Sequence, residues 1–209
     1  MHPDLLTRVE GDRALPLLLW RFDQPLLAIA SGPLGGGIGL RHWMLNASVP
    51  LSYDRDDPER HLADLAAGLG LRGPGLGFLT AVDVGRHAVG ADEGVTTWAT
   101  VGAGPSRWAA GPPGPAPSVG TINIFAYVPS TLSAAALVNM VATITEAKVQ
   151  ALLELGYAGT GTPTDATCVL CPPDGPVERY GGPRSTWGAR LARAAHQAVL
   201  IGDGNCLRT

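Results

Sequence analysis

Between Ser133 and Gly156 the chain carries the segment that most restricts its fold. Apolar residues recur at helical spacing on almost every side of it. Leu137, Val141, Ile144, Leu152 and Leu155 form one face, and Val138, Met140, Val149 and Leu153 fill much of the flanks. The helix opens after Ser130 to Ser133 and stops at Gly156. At that length it spans roughly 30 Å, the width of a small domain, so the remaining elements have to pack around it. A helix buried nearly all round is the expectation.

One row on this helix is polar. Asn139, Thr143, Glu146 and Gln150 share an arc of about 60°. A buried polar group without a partner costs about 1–3 kcal/mol, so something polar has to face the row. Two readings stand level: a wet or internally satisfied face, or the wall of a pocket. Lys148, the only lysine, lies across the helix from the row and suits a solvent-side or ion-pair role.

The other elements read from pattern and punctuation. Leu15 to Phe22 and Leu26 to Ser31, separated by Asp23-Gln24-Pro25, predict a hairpin. Pro58 to Leu71 predicts an amphipathic helix with Asp57 as N-cap. Gly77 to Val84, Val95 to Val101 and Thr121 to Val128 predict strands, Thr167 to Cys171 another, and Trp187 to Ile201 a last helix. Five prolines between Gly104 and Ser118 predict a surface loop, and a flexible tail is expected from residue 203. The order implies an α+β domain with a mixed or mainly antiparallel sheet and about three helices.

With 209 residues, 45% of them hydrophobic and 16% charged, a single globular domain over 1–209 is expected. A net charge of -3 with no basic stripe argues against nucleic acid as a partner. The apolar run Leu15 to Trp20 is too short to span a bilayer, so no membrane partner and a cytoplasmic location are expected. Cys168 and Cys171 point to opposite faces of their strand and cannot share a metal, which makes them buried, inert thiols.

Two segments and three scattered residues could carry chemistry beside the helix row. The turn Gly159 to Ala166 alternates Gly with Thr160, Thr162 and Thr164 and ends in Asp165 at the mouth of a strand, where it could converge with Glu146 and Gln150. The glycine-rich loop Gly32 to Gly39 fits no dinucleotide or P-loop pattern, but its amides could bind an oxyanion, with Ser31 a conceivable nucleophile and His42 beyond it. Asn46, Asn123 and His196 are polar residues in apolar settings.

Gly120-Thr121-Ile122-Asn123-Ile124, Val138-Asn139, Thr145-Glu146-Ala147-Lys148-Val149-Gln150, Gly161-Thr162-Pro163-Thr164-Asp165-Ala166 and Gly182-Pro183-Arg184-Ser185-Thr186-Trp187-Gly188, with His196 a helix later, resemble the adenosylcobinamide amidohydrolase family of corrinoid salvage. The resemblance extends over roughly Ser31 to Gly202 and includes Trp43-Met44-Leu45-Asn46. It implies hydrolysis of the amide joining aminopropanol to the corrin side chain, which yields adenosylcobyric acid. The partner it implies is a small-molecule corrinoid whose cobalt arrives with the substrate. No further cofactor is assigned, metal dependence is left open, and so is a homo-oligomer. A corrinoid-binding protein without activity is the alternative.

Roles within the site follow from chemistry. Glu146 or Asp165 would activate water, with His196 a reserve base. The amides of Gly35, Gly36 and Gly37, or Asn123, would stabilise the oxyanion. Asn46, Asn139, Thr143, Gln150, Thr162 and Thr164 would hold the corrin amides, and Trp43, Trp98 or Trp108 its apolar faces.

Overall fold

The structure is a computed structural model and describes residues 1–104, 106–112 and 120–206. Part of the Pro-rich loop and residues 207–209 lie outside the described residues. Strands β1 (Asp4–Glu10), β2 (Arg13–Ala30) and β3 (Gly37–Ser48) lead into α1 (Pro58–Gly68) and β4 (Gly75–Thr80). A short 3-10 turn (Val84–Arg86) follows, then β5 (Ala88–Asp92), β6 (Val95–Gly102) and β7 (Thr121–Tyr127). The chain ends with α2 (Ala134–Glu154), β8 (Ala166–Cys171) and α3 (Thr186–Cys206). The α+β reading holds: three helices pack on one mixed sheet of order β4-β3-β2-β8-β7-β6-β5, with β1 added to β2. The β3/β4 and β7/β8 pairs are parallel, the others antiparallel.

The expected hairpin at Asp23-Gln24-Pro25 is not one. The segment lies within the single strand β2, where the register against β3 shifts between Arg21 and Leu26. Proline has no N–H to give the ladder, and here the mismatch is absorbed as a bulge that bends the strand. The actual turns are Gly11-Asp12, with Gly11 at φ 62°, and the glycine-rich loop after Ala30. Strands β1, β3 and β5 are additional to the expected set. Asp57 stands at the start of α1 without capping it through its side chain, which instead pairs with Arg55 at 2.7 Å. Of the tail expected from residue 203, residues 203–206 form the last turn of α3 and the rest lies outside the described residues; Asp203 is buried, accepting the Tyr157 hydroxyl at 2.6 Å.

The bend in β2 lets the sheet curl until its halves face each other. Outward residues of the first half, such as Leu17, Leu19 and Leu45, pack with Leu62 and Ala66 of α1. Those of the second half, such as Ile122, Ile124 and Val169, pack under α2 and α3. The inward rows meet in an aromatic core: Trp20 and Trp98 lie edge to face at 5.8 Å, and Phe78 of β4 meets Phe125 of β7 at 4.7 Å. Cys168 faces this interior and Cys171 the helix side, as alternation requires, and burial pushes both thiols up from their ordinary range.

By length and composition α2 could cross a membrane, but here it serves as a core helix with one wet face. Ser133 caps it, accepting the Ala136 N–H at 3.1 Å, and Gly156 ends it at φ 85°.

Candidate active site

Four inward rows of the curled sheet are apolar through the middle and turn polar at the same end. Along β3 the inward residues run Met44, Asn46, Ser48; along β4, Phe78 then Thr80; along β6, Trp98 then Thr100; and along β7 in reverse, Phe125, Asn123, Thr121. Strand alternation therefore assembles a polar crown from four strands, all of it buried.

The crown is tied together across the interior. Asn123 donates through Nδ2 to Asn46 Oδ1 at 3.1 Å and to the Leu79 carbonyl at 3.0 Å, and Asn46 Nδ2 donates to Thr100 Oγ1 at 3.3 Å. The Leu79 carbonyl can only accept, which fixes the Asn123 amide with nitrogen towards it and oxygen away. Asn123 Oδ1 is thereby left buried with no partner. Asn123 is one of the residues lining a cleft of about 500 Å³ whose wall also includes Ser31, Tyr53, Thr80, Thr121, Thr164 and Asp165. Trp20 Nε1, Thr97 Oγ1 and Thr131 Oγ1 are also without partners, but none borders this cleft.

Asp165 stands at the rim, where the turn enters β8. One carboxylate oxygen accepts the Ile122 N–H at 2.9 Å and the Thr162 hydroxyl at 2.5 Å. The other accepts Lys148 Nζ at 2.5 Å and the Thr162 N–H at 3.1 Å. A carboxylate has about four acceptor positions, and these four donors fill them. Thr162 Oγ1 also lies 2.7 Å from the Gly120 carbonyl, yet its single proton can serve only one of the two. Thr164 resolves the competition: its hydroxyl reaches Gly120 O at 3.0 Å and lies 2.6 Å from Thr121 Oγ1, so it can donate to the carbonyl while accepting from Thr121. Gly161, at φ 153°, is required here, because a Cβ would fall 2.3 Å from the Asp165 carboxylate and 2.4 Å from Lys148 Nζ. Residues 106–112 brace the turn through Arg107, whose N–H meets Gly161 O at 2.8 Å.

Of the residues singled out from the sequence, Asn46, Asn123, Thr162, Thr164 and Asp165 come together here. The α2 row does not join them. Asn139, Glu146 and Gln150 are exposed, and Glu146 and Gln150 border a separate shallow groove between α2 and α3 with His196. Thr143 is buried only because Gly181 passes over it and accepts its hydroxyl at 2.9 Å. The row is therefore wet, and Thr143, Glu146 and Gln150 line that groove rather than the cleft. Gln150 donates to Glu154 at 2.8 Å, and His196 Nε2 meets the same carboxylate at 2.8 Å, a tie between two helices. Lys148, not Glu146, reaches Asp165, so the expected ion pair is present and the expected carboxylate pair is not.

Gly35, Gly36 and Gly37 of the glycine loop do not line the cleft. Gly35 O accepts two bonds from Arg41, at 3.1 and 2.6 Å, and a Cβ on Gly35 would fall 2.0 Å from Gly75 O. Gly35, Gly36 and Gly37 therefore shape the β2–β3 connection beside β4; of this loop's flank, Ser31 and Pro33 border the cleft. His42 is exposed on β3 and packs towards Gly73. Trp98 and Trp43 are buried in separate cores, and only Trp108 is exposed.

The sequence reading did not single out Thr80, Thr100, Thr121 or Tyr53. Tyr53 OH lies 3.0 Å from His61 Nδ1, and His61 Nε2 lies 3.0 Å from Glu10 Oε1. Burial pushes the Tyr53 phenol up; burial also pushes Glu10 up, but hydrogen bonds from Arg8 and His61 outweigh it and hold the carboxyl below its ordinary value. Among the described residues no group of three or more His, Cys, Asp or Glu is placed to hold a metal.

The adenosylcobinamide amidohydrolase family profile matches residues 2–204. An adenosylcobinamide amidohydrolase of Methanosarcina mazei is 32% identical over 185 residues, covering 84% of this chain and 88% of its own. Another, from Halobacterium salinarum, is 40% identical over 81 residues, covering 38% of this chain and 34% of its own. A crystal structure of a Pyrococcus horikoshii OT3 protein has a TM-score of 0.49 at 12% identity, covering 96% of this chain and 83% of its own.

Proposed function

Because the chain belongs to the adenosylcobinamide amidohydrolase family, we propose that it hydrolyses the amide joining aminopropanol to the corrin side chain of adenosylcobinamide. The products are then free aminopropanol and adenosylcobyric acid, and the latter can re-enter cobalamin synthesis in the cytoplasm. The observation that carries the siting of this chemistry is that Asn123, which lines the cleft, has a buried Oδ1 without a partner.

An acceptor fixed in that orientation is matched by an N–H donor, and the substrate's side-chain amides are N–H donors. Asn123 therefore holds the amide through its nitrogen side. Its own Nδ2 is committed to Asn46 and Leu79, so it does not serve the oxyanion. Ser31 Oγ accepts the Thr167 N–H at 3.0 Å and borders the cleft, which leaves its O–H to meet the carbonyl oxygen as negative charge develops there. Asp165, with its acceptor positions filled, organises rather than takes a proton: it holds the threonine turn against β7 and α2 so that Thr164 and Thr121 face the substrate. Water attacks the amide carbon, and the amine leaves with a proton.

Incubation of the purified protein with adenosylcobinamide should release aminopropanol in step with adenosylcobyric acid. Binding of the corrinoid without release, under every metal supplement, would leave a non-catalytic corrinoid-binding protein instead.

A further inference from the structure

The cleft needs a group to take a proton from water and return it to the leaving amine, and neither Asp165 nor the α2 row is placed to do so. Resting on the amidohydrolase reading, we infer that Tyr53, His61 and Glu10 form a proton relay opening into the cleft at Tyr53. Tyr53 borders the cleft, while His61 is buried at the first turn of α1 and Glu10 ends β1. The loop before α1, α1 itself and the distant end of β1 are thus joined into one line by two contacts of 3.0 Å.

The direction of the line follows from what each atom can do. Glu10, held below its ordinary value after burial is outweighed by Arg8 and His61, is an acceptor only, and Arg8 Nε already donates to its Oε1 at 2.6 Å. His61 Nε2 therefore carries the ring proton and donates it to Glu10, which leaves Nδ1 bare. Tyr53 donates its hydroxyl to that nitrogen and turns its own lone pairs outwards. Arg8 is in turn fixed by the Pro16 and Ser48 carbonyls at 3.2 and 2.6 Å, so the far end of the line is rigid. The Tyr53 and His61 rings stack at 5.6 Å, which locks both side chains. The other charged groups around Tyr53 are Arg55 and Asp57 of its own loop, paired with each other at 2.7 Å, with Arg60 and Asp64 beyond them on α1.

As the water oxygen bonds to the amide carbon, one water proton passes to Tyr53 Oη and the Tyr53 proton passes to His61 Nδ1, while the carbonyl π pair moves onto oxygen. His61 is then an imidazolium beside the Glu10 carboxylate. When the tetrahedral species collapses, the C–N bond breaks with its electron pair going to nitrogen. The proton returns from His61 through Tyr53 to that nitrogen, giving the amine and the carboxylic acid. Tyr53 is the residue that touches the reacting atoms; His61 and Glu10 act through it.

The test compares Tyr53→Phe, His61→Gln and Glu10→Gln with the wild-type enzyme, by aminopropanol release against pH, corrinoid titration and melting temperature. Tyr53→Phe keeps the stacked ring and removes only the hydroxyl. It should lower kcat by about 100-fold or more with KM within about threefold, in keeping with general acid–base contributions. His61→Gln should lower kcat likewise, again with KM within about threefold, because Tyr53 then has no ring nitrogen to take its proton. Lower melting temperatures with kcat and pH profile unchanged would mean a structural clamp and overturn the relay alone. A wild-type protein that binds adenosylcobinamide and never cleaves it would overturn the amidohydrolase reading, and the relay with it.

Discussion

Two polar rows in this molecule look alike on paper and behave differently. The row on α2 is periodic in sequence, and three of its four members, Asn139, Glu146 and Gln150, end in water. The crown at the strand ends has no periodicity in sequence, because Asn46, Thr80, Thr100, Thr121 and Asn123 come from four strands, yet every member is buried. Periodicity shows which residues share a face, and only the neighbouring element decides whether that face is covered. In the α2 row the one member covered is Thr143, under the Gly181 carbonyl. At the crown, the curl of the sheet brings β4 against β7 and covers all of it.

The largest effect expected from disturbing this contrast is at Lys148, the buried residue on the far side of α2. Lys148→Met leaves the Asp165 carboxylate with a lost ion pair, both side chains being about nine-tenths buried at 10% and 13% exposure. Breaking such a pair costs about 3–5 kcal/mol, to be read in urea denaturation. A loss below about 1 kcal/mol would mean the pair is effectively solvated.

Next comes Asn123→Asp, which sets a carboxylate against Asn46 Oδ1 and Leu79 O, where two donated bonds stood. Stability should fall by about 1–3 kcal/mol, and kcat/KM by about 100-fold. Smaller still are changes on the row itself. Thr143→Val removes the bond to Gly181 and should cost about 1 kcal/mol without affecting turnover. Glu146→Gln should stay within about 0.5 kcal/mol and about twofold in turnover. A collapse of activity in Glu146→Gln would return the chemistry to α2.

The smallest effect concerns pH. The Glu10 carboxyl is depressed below its ordinary 4.5 in the folded chain, because the bonds from Arg8 and His61 outweigh burial. A depressed carboxyl stabilises the fold above its unfolded value and loses that contribution as pH falls through the folded one. Wild-type melting temperature should therefore drop below about pH 4.5 more steeply than that of Glu10→Gln. Parallel acid profiles would contradict the pairing.

Much of the fold was legible in the sequence because its elements are strongly punctuated: Ser133 and Gly156 bound α2, and Pro58 opens α1. The bend in β2 was not, since Asp-Gln-Pro signals a turn just as well as a bulge, and only pairing with β3 on both sides distinguishes them. In the site, Asn123, Thr162, Thr164 and Asp165 stood out through motifs that also carry the family resemblance. Tyr53, His61 and Glu10 share no motif or spacing, and nothing short of the packing of β1 against α1 joins them. Lys148 was placed correctly across from the row, but helical geometry alone could not say that Asp165 waited there.

The central claim is that the scissile amide meets the protein at the crown and not on α2. The most direct measurement is a crystal structure with the corrinoid product and aminopropanol bound. The account predicts an N–H donor of the ligand within hydrogen-bond distance of Asn123 Oδ1, with aminopropanol beside Tyr53. A corrinoid seated in the α2–α3 groove against Glu146 and His196, with Asn123 Oδ1 still unpartnered, would contradict it.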